Sequence, residues 1–198
     1  MDLIKLGNEV LERESKMLHQ LALQLDGAFE RSAHLLADCK GHVITSGVGT
    51  TGIVARRFAH LLCNVGCPAL FLHAGDSLHG SSGAIRQEDV LVLFSKTGET
   101  TETCKLAQLV KSRFTPIVAF TSKPDSTIGR MSDIVIKVDT PAEVDPYQGL
   151  MAAGSTLALD AICDGLIFAV LELKGTPREQ FINGHPGGII SNLKKEQP

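Results

Sequence analysis

Ser95-Lys96-Thr97-Gly98-Glu99-Thr100-Thr101-Glu102 follows the apolar run Asp89–Phe94 and opens a helical stretch. Ser95, Thr97 and Thr100 can turn three hydroxyls toward one point, and Gly98 permits the tight turn this needs. The helix start adds unpaired N–H groups and the positive end of a dipole. Such a nest suits a phosphate monoester, which has three terminal oxygens to satisfy. The same residues read purely structurally give an N-cap at Thr100 and acids, Glu99 and Glu102, favouring a first helical turn. A second anion-friendly turn in the same predicted sheet favours the binding reading.

That second turn is Ser46-Gly47-Val48-Gly49-Thr50-Thr51-Gly52, again between a strand and a helix. Its GxGxxG spacing lets the backbone approach an anion. A dinucleotide site would also need an acid at the end of the next strand, about 20 residues on. Asp76 comes late and lies beyond Gly75, which disfavours a nucleotide-dependent oxidoreductase. Ile53 stands where a triphosphate-binding loop needs lysine.

Moving a proton between two carbons of a phosphorylated substrate needs a base, together with an acid or base at the neighbouring oxygen. Glu102, Glu143, His79 and His185 all fall in or beside loops near predicted strand ends. His185 lies in Gly184-His185-Pro186-Gly187-Gly188. His34 and His60 fall in helices and read as structural.

The elements that must position these groups follow from periodicity. Leu3, Leu6, Val10, Leu11, Met17, Leu18, Leu21 and Leu25 predict a helix over 3–38, interrupted at Gly27. A partner subunit or the chain's own domain could cover its apolar stripe. Strands are predicted over 42–46, 68–72, 89–94, 116–121 and 133–138, with helices over 51–65, 101–113, 149–174 and 179–182. Apolar strands separated by helices imply a doubly wound α/β fold, its parallel sheet covered on both faces. A ligand then sits beyond the carboxyl ends of the strands, where strand order switches. Residues 139–149 form the longest irregular stretch, of a kind that often carries function.

The 198 residues predict one domain, with helices over 1–38 and an α/β core with C-terminal helices over 39–198. A net charge of −3 and a basic cluster no longer than Lys194-Lys195 argue against nucleic acid. No apolar run is long enough to span a bilayer, and the N-terminus lacks a secretory pattern. Five cysteines without a CxxC pair read as free thiols in a reducing compartment, so cytoplasmic residence is expected. No Cys/His cluster has metal-ligand spacing, so no metal is expected.

Together these segments resemble the sugar isomerase (SIS) domain family, and within it the arabinose 5-phosphate isomerase group. The matching pieces are Ser46–Gly52, His73–Gly80, Ser95–Glu102, Glu143 with 149–156, and Gly184–Gly188, in family order across about residues 5–195. The resemblance implies a five-stranded parallel sheet and a homo-oligomer, usually a tetramer, with sites shared between subunits. It also implies a sugar phosphate held by Ser95, Thr97 and Thr100 beside Ser46 and the Gly47–Gly49 turn. Glu102 and Glu143 match the family's two carboxylates. His185 matches a histidine that assists ring opening, often from a neighbouring subunit, and His79 one that lines the site. The implied activity is aldose–ketose isomerisation through an enediol, without metal or organic cofactor.

Two departures stand out. The family's first glycine turn commonly carries a lysine where this chain has Thr50, and Lys96 occupies a slot that is often Asn or Gln. Lys96 is therefore expected to replace part of the missing charge in the phosphate site. Paired CBS (cystathionine β-synthase) regulatory modules often follow the HPGG motif. None follows here, so control through such modules is not expected. A phosphosugar-binding sensor without catalysis, or an enzyme acting on 3-hexulose 6-phosphate, is the alternative.

Overall fold

The structure, a computed structural model, describes residues 1–187 and 190. Gly188 of the HPGG motif and the Lys194-Lys195 pair lie outside the described residues. Two helices, α1 (Leu3–Ala22) and α2 (Gly27–Ala37), precede the first strand, β1 (Val43–Gly47). Next come α3 (Thr50–Asn64), β2 (Ala69–Phe71), the one-turn α4 (Ala74–Ser77), β3 (Val90–Phe94) and α5 (Thr101–Lys111). Then follow β4 (Ile117–Thr121), α6 (Thr127–Met131), β5 (Ile134–Lys137), the single turn α7 (Pro146–Gly149), α8 (Gly154–Lys174) and α9 (Arg178–Asn183). Short 3-10 turns lie at Ser81–Ala84 and Ala142–Val144.

The five strands pair in parallel in the order β2-β1-β3-β4-β5. Every residue of β1, β3 and β4 is buried, as expected of strands covered on both faces. Alternation sorts their side chains into two cores. Val90, Val92 and Phe94 of β3 pack with Phe58, Leu62, Ile162 and Leu166 from α3 and α8. Leu91 and Leu93 face Leu106, Val110 and Ile128 from α5 and α6. Phe94 and Phe120 stack at 4.5 Å, and Phe58 meets each of them edge-on, which locks α3 to the sheet near its carboxyl end.

Three details differ from the periodicity. Gly27 does not interrupt a helix; it begins α2, because the Asp26 carboxylate accepts the Ala28 N–H and caps it. The helix expected from residue 149 begins at Gly154. Before it, Tyr147 and Gln148 take left-handed backbone angles, with φ of 54° and 56°. α4 and α6 are too short to leave a period in the sequence. Packing along α1 is one-ended: Met17 and Leu21 are buried, whereas Leu3, Ile4, Leu6, Val10 and Leu11 are exposed.

Candidate phosphosugar site

The strand order reverses direction on either side of β1, since β2 lies to one side and β3 to the other. The loops after β1 and β3 therefore flank the switch point, the place where open α/β sheets hold their ligands. Register puts Ser46 opposite Leu93 and Gly47 opposite Phe94, so the glycine turn and the hydroxyl loop start side by side.

The first turn is close-packed. A Cβ at Gly47 would sit 2.9 Å from the Thr51 carbonyl, so only glycine fits. Gly49, with φ of 61°, begins α3, and among the described residues no side chain caps that helix. Ser46 is fully buried, and its hydroxyl makes no hydrogen bond among the described residues. Ser32 and Thr156 are buried without a partner in the same way, and Ser46 is the one of the three that lies on a strand at the switch point. Thr50 is exposed on the first turn of α3.

The hydroxyl loop is braced from beneath. The Lys96 carbonyl accepts bonds from the Ser122 N–H at 2.9 Å, the Ser122 hydroxyl at 2.8 Å and the Thr121 hydroxyl at 3.2 Å. Gly98 is left-handed, with φ of 69°, and lies directly against Ser126. Glu99 points away from the site. Its carboxylate accepts the Thr127 hydroxyl at 2.7 Å and the Thr127 N–H at 2.8 Å, bonds that lower its pKa. Thr100 is the N-cap of α5, yet its hydroxyl turns to Ser95 instead of capping the helix. Among the described residues, the first turn of α5, like that of α3, is thus uncapped by a side chain, which leaves its N–H groups open.

Lys96 lies in this loop as expected, but its charge is already met. Its ammonium donates to Asp145 at 2.7 Å, and Asp145 is 3% exposed. The other Asp145 oxygen accepts the N–H groups of Ala153 at 2.7 Å and Ser155 at 3.0 Å, at the start of α8. Burial opposes ionisation of Asp145, but the Lys96 and Ser155 bonds outweigh it and hold the carboxyl at about 2. Of the three long helices that begin at this edge, α8 thus has its positive end neutralised by Asp145. Beside Lys96 is a cavity of about 30 Å³, lined by Thr51, Thr121, Ser122, Ser155 and Thr156 among others.

The remaining candidates are dispersed. Glu102 is half-buried in the first turn of α5. His79 is exposed in the turn after α4, which packs on α5. Glu143 is exposed in the 3-10 turn 142–144, where the Arg13 guanidinium holds its carbonyl at 3.2 Å. There it lines a cavity of about 470 Å³ shared with Leu6, Val10 and Arg13 of α1. His185 sits after α9, its Nδ1 2.7 Å from the Phe181 carbonyl. Thr176 ties that region to the end of α3 through the Val65 carbonyl. Phe181, whose ring centre lies 4.2 Å from that of His185, lines a cavity with Leu61, Asn64 and Val65, which puts His185 near the C-terminal end of α3, whereas the glycine turn is at the other end of this fifteen-residue helix, roughly 20 Å away. Sequence reasoning missed Asp145. Its one signal, an Asp directly before Pro146, points to a turn and not to burial.

A family profile for the SIS domain matches residues 35–162. Among curated proteins the chain is similar to the arabinose 5-phosphate isomerase KdsD of Salmonella typhi, at 31% identity over 189 residues. It is also similar to the arabinose 5-phosphate isomerase KpsF of Escherichia coli, at 35% over 189 residues. These alignments take in 96% and 95% of the chain but only 57% and 58% of the relatives, so the chain spans less than two thirds of their length. Among solved structures, an E. coli CFT073 protein in complex with arabinose 5-phosphate superposes with a TM-score of 0.89 at 29% identity, covering 93% of this chain and 98% of that one. The sugar isomerase domain of an RpiR transcription factor from Sphaerobacter thermophilus shares the fold, with a TM-score of 0.74 at 19% identity, covering 98% of this chain and 99% of that one. With the profile covering all five strands and both switch-point loops, the chain belongs to the SIS domain family.

Proposed function

We propose that this chain is an aldose–ketose isomerase of sugar phosphates, acting on arabinose 5-phosphate and ribulose 5-phosphate or a close analogue. One observation carries the reading: two uncapped helix starts, the Ser95–Thr100 hydroxyl loop and the unspent Ser46 hydroxyl converge at the switch point. Relatives named arabinose 5-phosphate isomerase, and a similar structure holding that sugar phosphate, support the choice of substrate.

In this reading Ser95, Thr97 and Thr100 hold the phosphate with the α5 start, beside Ser46, Gly47, Gly49 and Thr50. Lys96 shapes this loop. Glu143 is the base. It takes the C2 proton of the open-chain aldose while the C1 oxygen gains a proton, giving an enediol. Return of a proton to C1 and loss of the C2 hydroxyl proton then leave the ketose. Electrons balance within the sugar, and the neighbouring carbonyl acidifies the proton that moves, so no metal or cofactor is required. Glu102 assists in proton transfer or hydroxyl positioning, and His79 lines the site. His185 serves ring opening from a second copy, within a homotetramer. The exposed apolar residues of α1 and the position of His185, beside Phe181 at the C-terminal end of α3, support that assembly. Cytoplasmic residence belongs to the same proposal, supported by five free cysteines. The whole 198-residue chain acts as one domain.

Proton NMR in deuterated water with arabinose 5-phosphate tests the reading. Conversion with loss of the C2 proton signal supports it. Thr50, which leaves the first turn without a cation, favours a second reading as a phosphosugar sensor. Thermal stabilisation without conversion of any phosphopentose or phosphohexose, 3-hexulose 6-phosphate included, would establish that reading instead.

A further inference from the structure

Among the described residues, Asp145 is the one nearly fully buried carboxylate at the carboxyl edge of the sheet, and it joins three pieces of chain. One oxygen holds the Lys96 ammonium in the hydroxyl loop at 2.7 Å. The other closes the turn 145–153 on itself through the Ala153 and Ser155 N–H groups. Within that turn Tyr147 and Gln148 are left-handed, a backbone state that non-glycine residues hold only when their surroundings enforce it. The Lys96 ammonium also approaches the Gly149 carbonyl, at 3.5 Å, so it grips the far side of the same turn. Two residues before Asp145 stands Glu143, whose own carbonyl is fixed by Arg13.

The geometry points to Asp145 as a positioning residue: through Lys96 it fixes the separation between the hydroxyl loop and the segment that carries Glu143. This rests on the isomerase reading, in which the loop takes the phosphate and Glu143 the C2 proton. A sugar phosphate anchored at one end presents its reacting carbon at a set distance. A base displaced by about 1 Å can cost a hundredfold in rate. The Lys96–Asp145 pair spans the gap between anchor and base, so it governs the chemical step rather than the grip on phosphate.

The test compares Lys96→Gln, Asp145→Asn and the double variant for kcat, KM and thermal stabilisation by inorganic phosphate. Each single change is expected to lower kcat by about tenfold or more, with KM and phosphate stabilisation held within about threefold. The double variant, in which two amides can bond without a stranded charge, is expected to be no slower than the slower single. Lys96→Gln leaves the Asp145 bonds to α8 in place, so it keeps the test valid if Asp145→Asn fails to fold. A rise in KM and loss of phosphate stabilisation at unchanged kcat would make Lys96 a phosphate ligand and overturn the inference. So would losses that multiply in the double variant, or an unchanged kcat in Lys96→Gln. A wild-type chain that converts no sugar phosphate would overturn the isomerase reading itself, and the inference with it. Wild-type turnover with an unaffected Lys96→Gln overturns only the inference.

Discussion

The hydroxyls of Ser95 and Thr100 lie 2.9 Å apart, and their bond draws the hydroxyl loop closed across Gly98. Ser95 also accepts the Gly98 N–H at 3.1 Å, so one side chain organises both halves of the turn. Because Thr100 bonds Ser95 rather than the backbone behind it, the first turn of α5 keeps its N–H groups for a ligand. The loop is thereby built before any anion arrives, which reduces the ordering cost of binding.

In the proposed site, replacing Ser95 by alanine removes one phosphate ligand and loosens Thr100, its hydrogen-bond partner. A hydrogen bond to a charged group is worth about 1.5–3 kcal/mol, so Ser95→Ala should raise KM roughly ten- to hundredfold. Thermal stabilisation by inorganic phosphate should fall in parallel. Initial-rate kinetics and a phosphate titration check this.

Gly98→Ala should destabilise the fold by about 1–3 kcal/mol, because φ there is left-handed. The new methyl would also press on Ser126. Adding Ser126→Gly, which removes both the Oγ and the Cβ that the methyl would meet, should recover the steric part of the loss and leave the backbone part, apart from a few tenths of a kcal/mol for the weakened α6 cap. Urea midpoints of the single and double variants separate the two.

Asp145 gives a stability change at low pH with a definite sign. Its carboxyl is held at about 2 in the folded chain, below the ordinary value of 3.8. Ionised Asp145 therefore contributes fully above about pH 4, and that contribution is lost as pH falls toward 2, amounting to roughly 2 kcal/mol. Melting temperature should drop through this window. Asp145→Asn should lower it at neutral pH and flatten its dependence between about pH 4 and 2.

Glu143→Gln should reduce turnover by about a thousandfold or more while sparing phosphate binding. His185→Ala should slow ring opening and reduce activity likewise. If a second copy supplies His185, co-expressing the two variants should restore part of the activity, since some mixed sites hold both native residues. Activity no higher than in either variant alone would put both residues in a site made by one chain. Glutamate at Leu6 and Val10 should shift the assembly toward monomers in light scattering.

The sequence alone determined the sheet and its layers. Val90–Phe94 and residues 117–120 are apolar throughout and separated by helical periods, the pattern of a parallel sheet covered on both faces. It also determined the two turns at the switch point, because Gly47, Gly98 and the hydroxyls act within a few residues of their own strand ends. Those interactions are local, and local chemistry is written in local order.

Tertiary structure decided what depends on long-range placement. Lys96 and Asp145 are 49 residues apart, and neither residue type nor spacing signals their bond. Burial turned an Asp before proline from an ordinary turn residue into the acceptor for Lys96 and the start of α8. The same packing put His185, through its neighbour Phe181, near the C-terminal end of α3, away from the glycine turn at the helix start. Loop residues have no period to betray their position. Where they go is decided by which helix end or buried charge they satisfy, and that is known only once the sheet has brought those groups together.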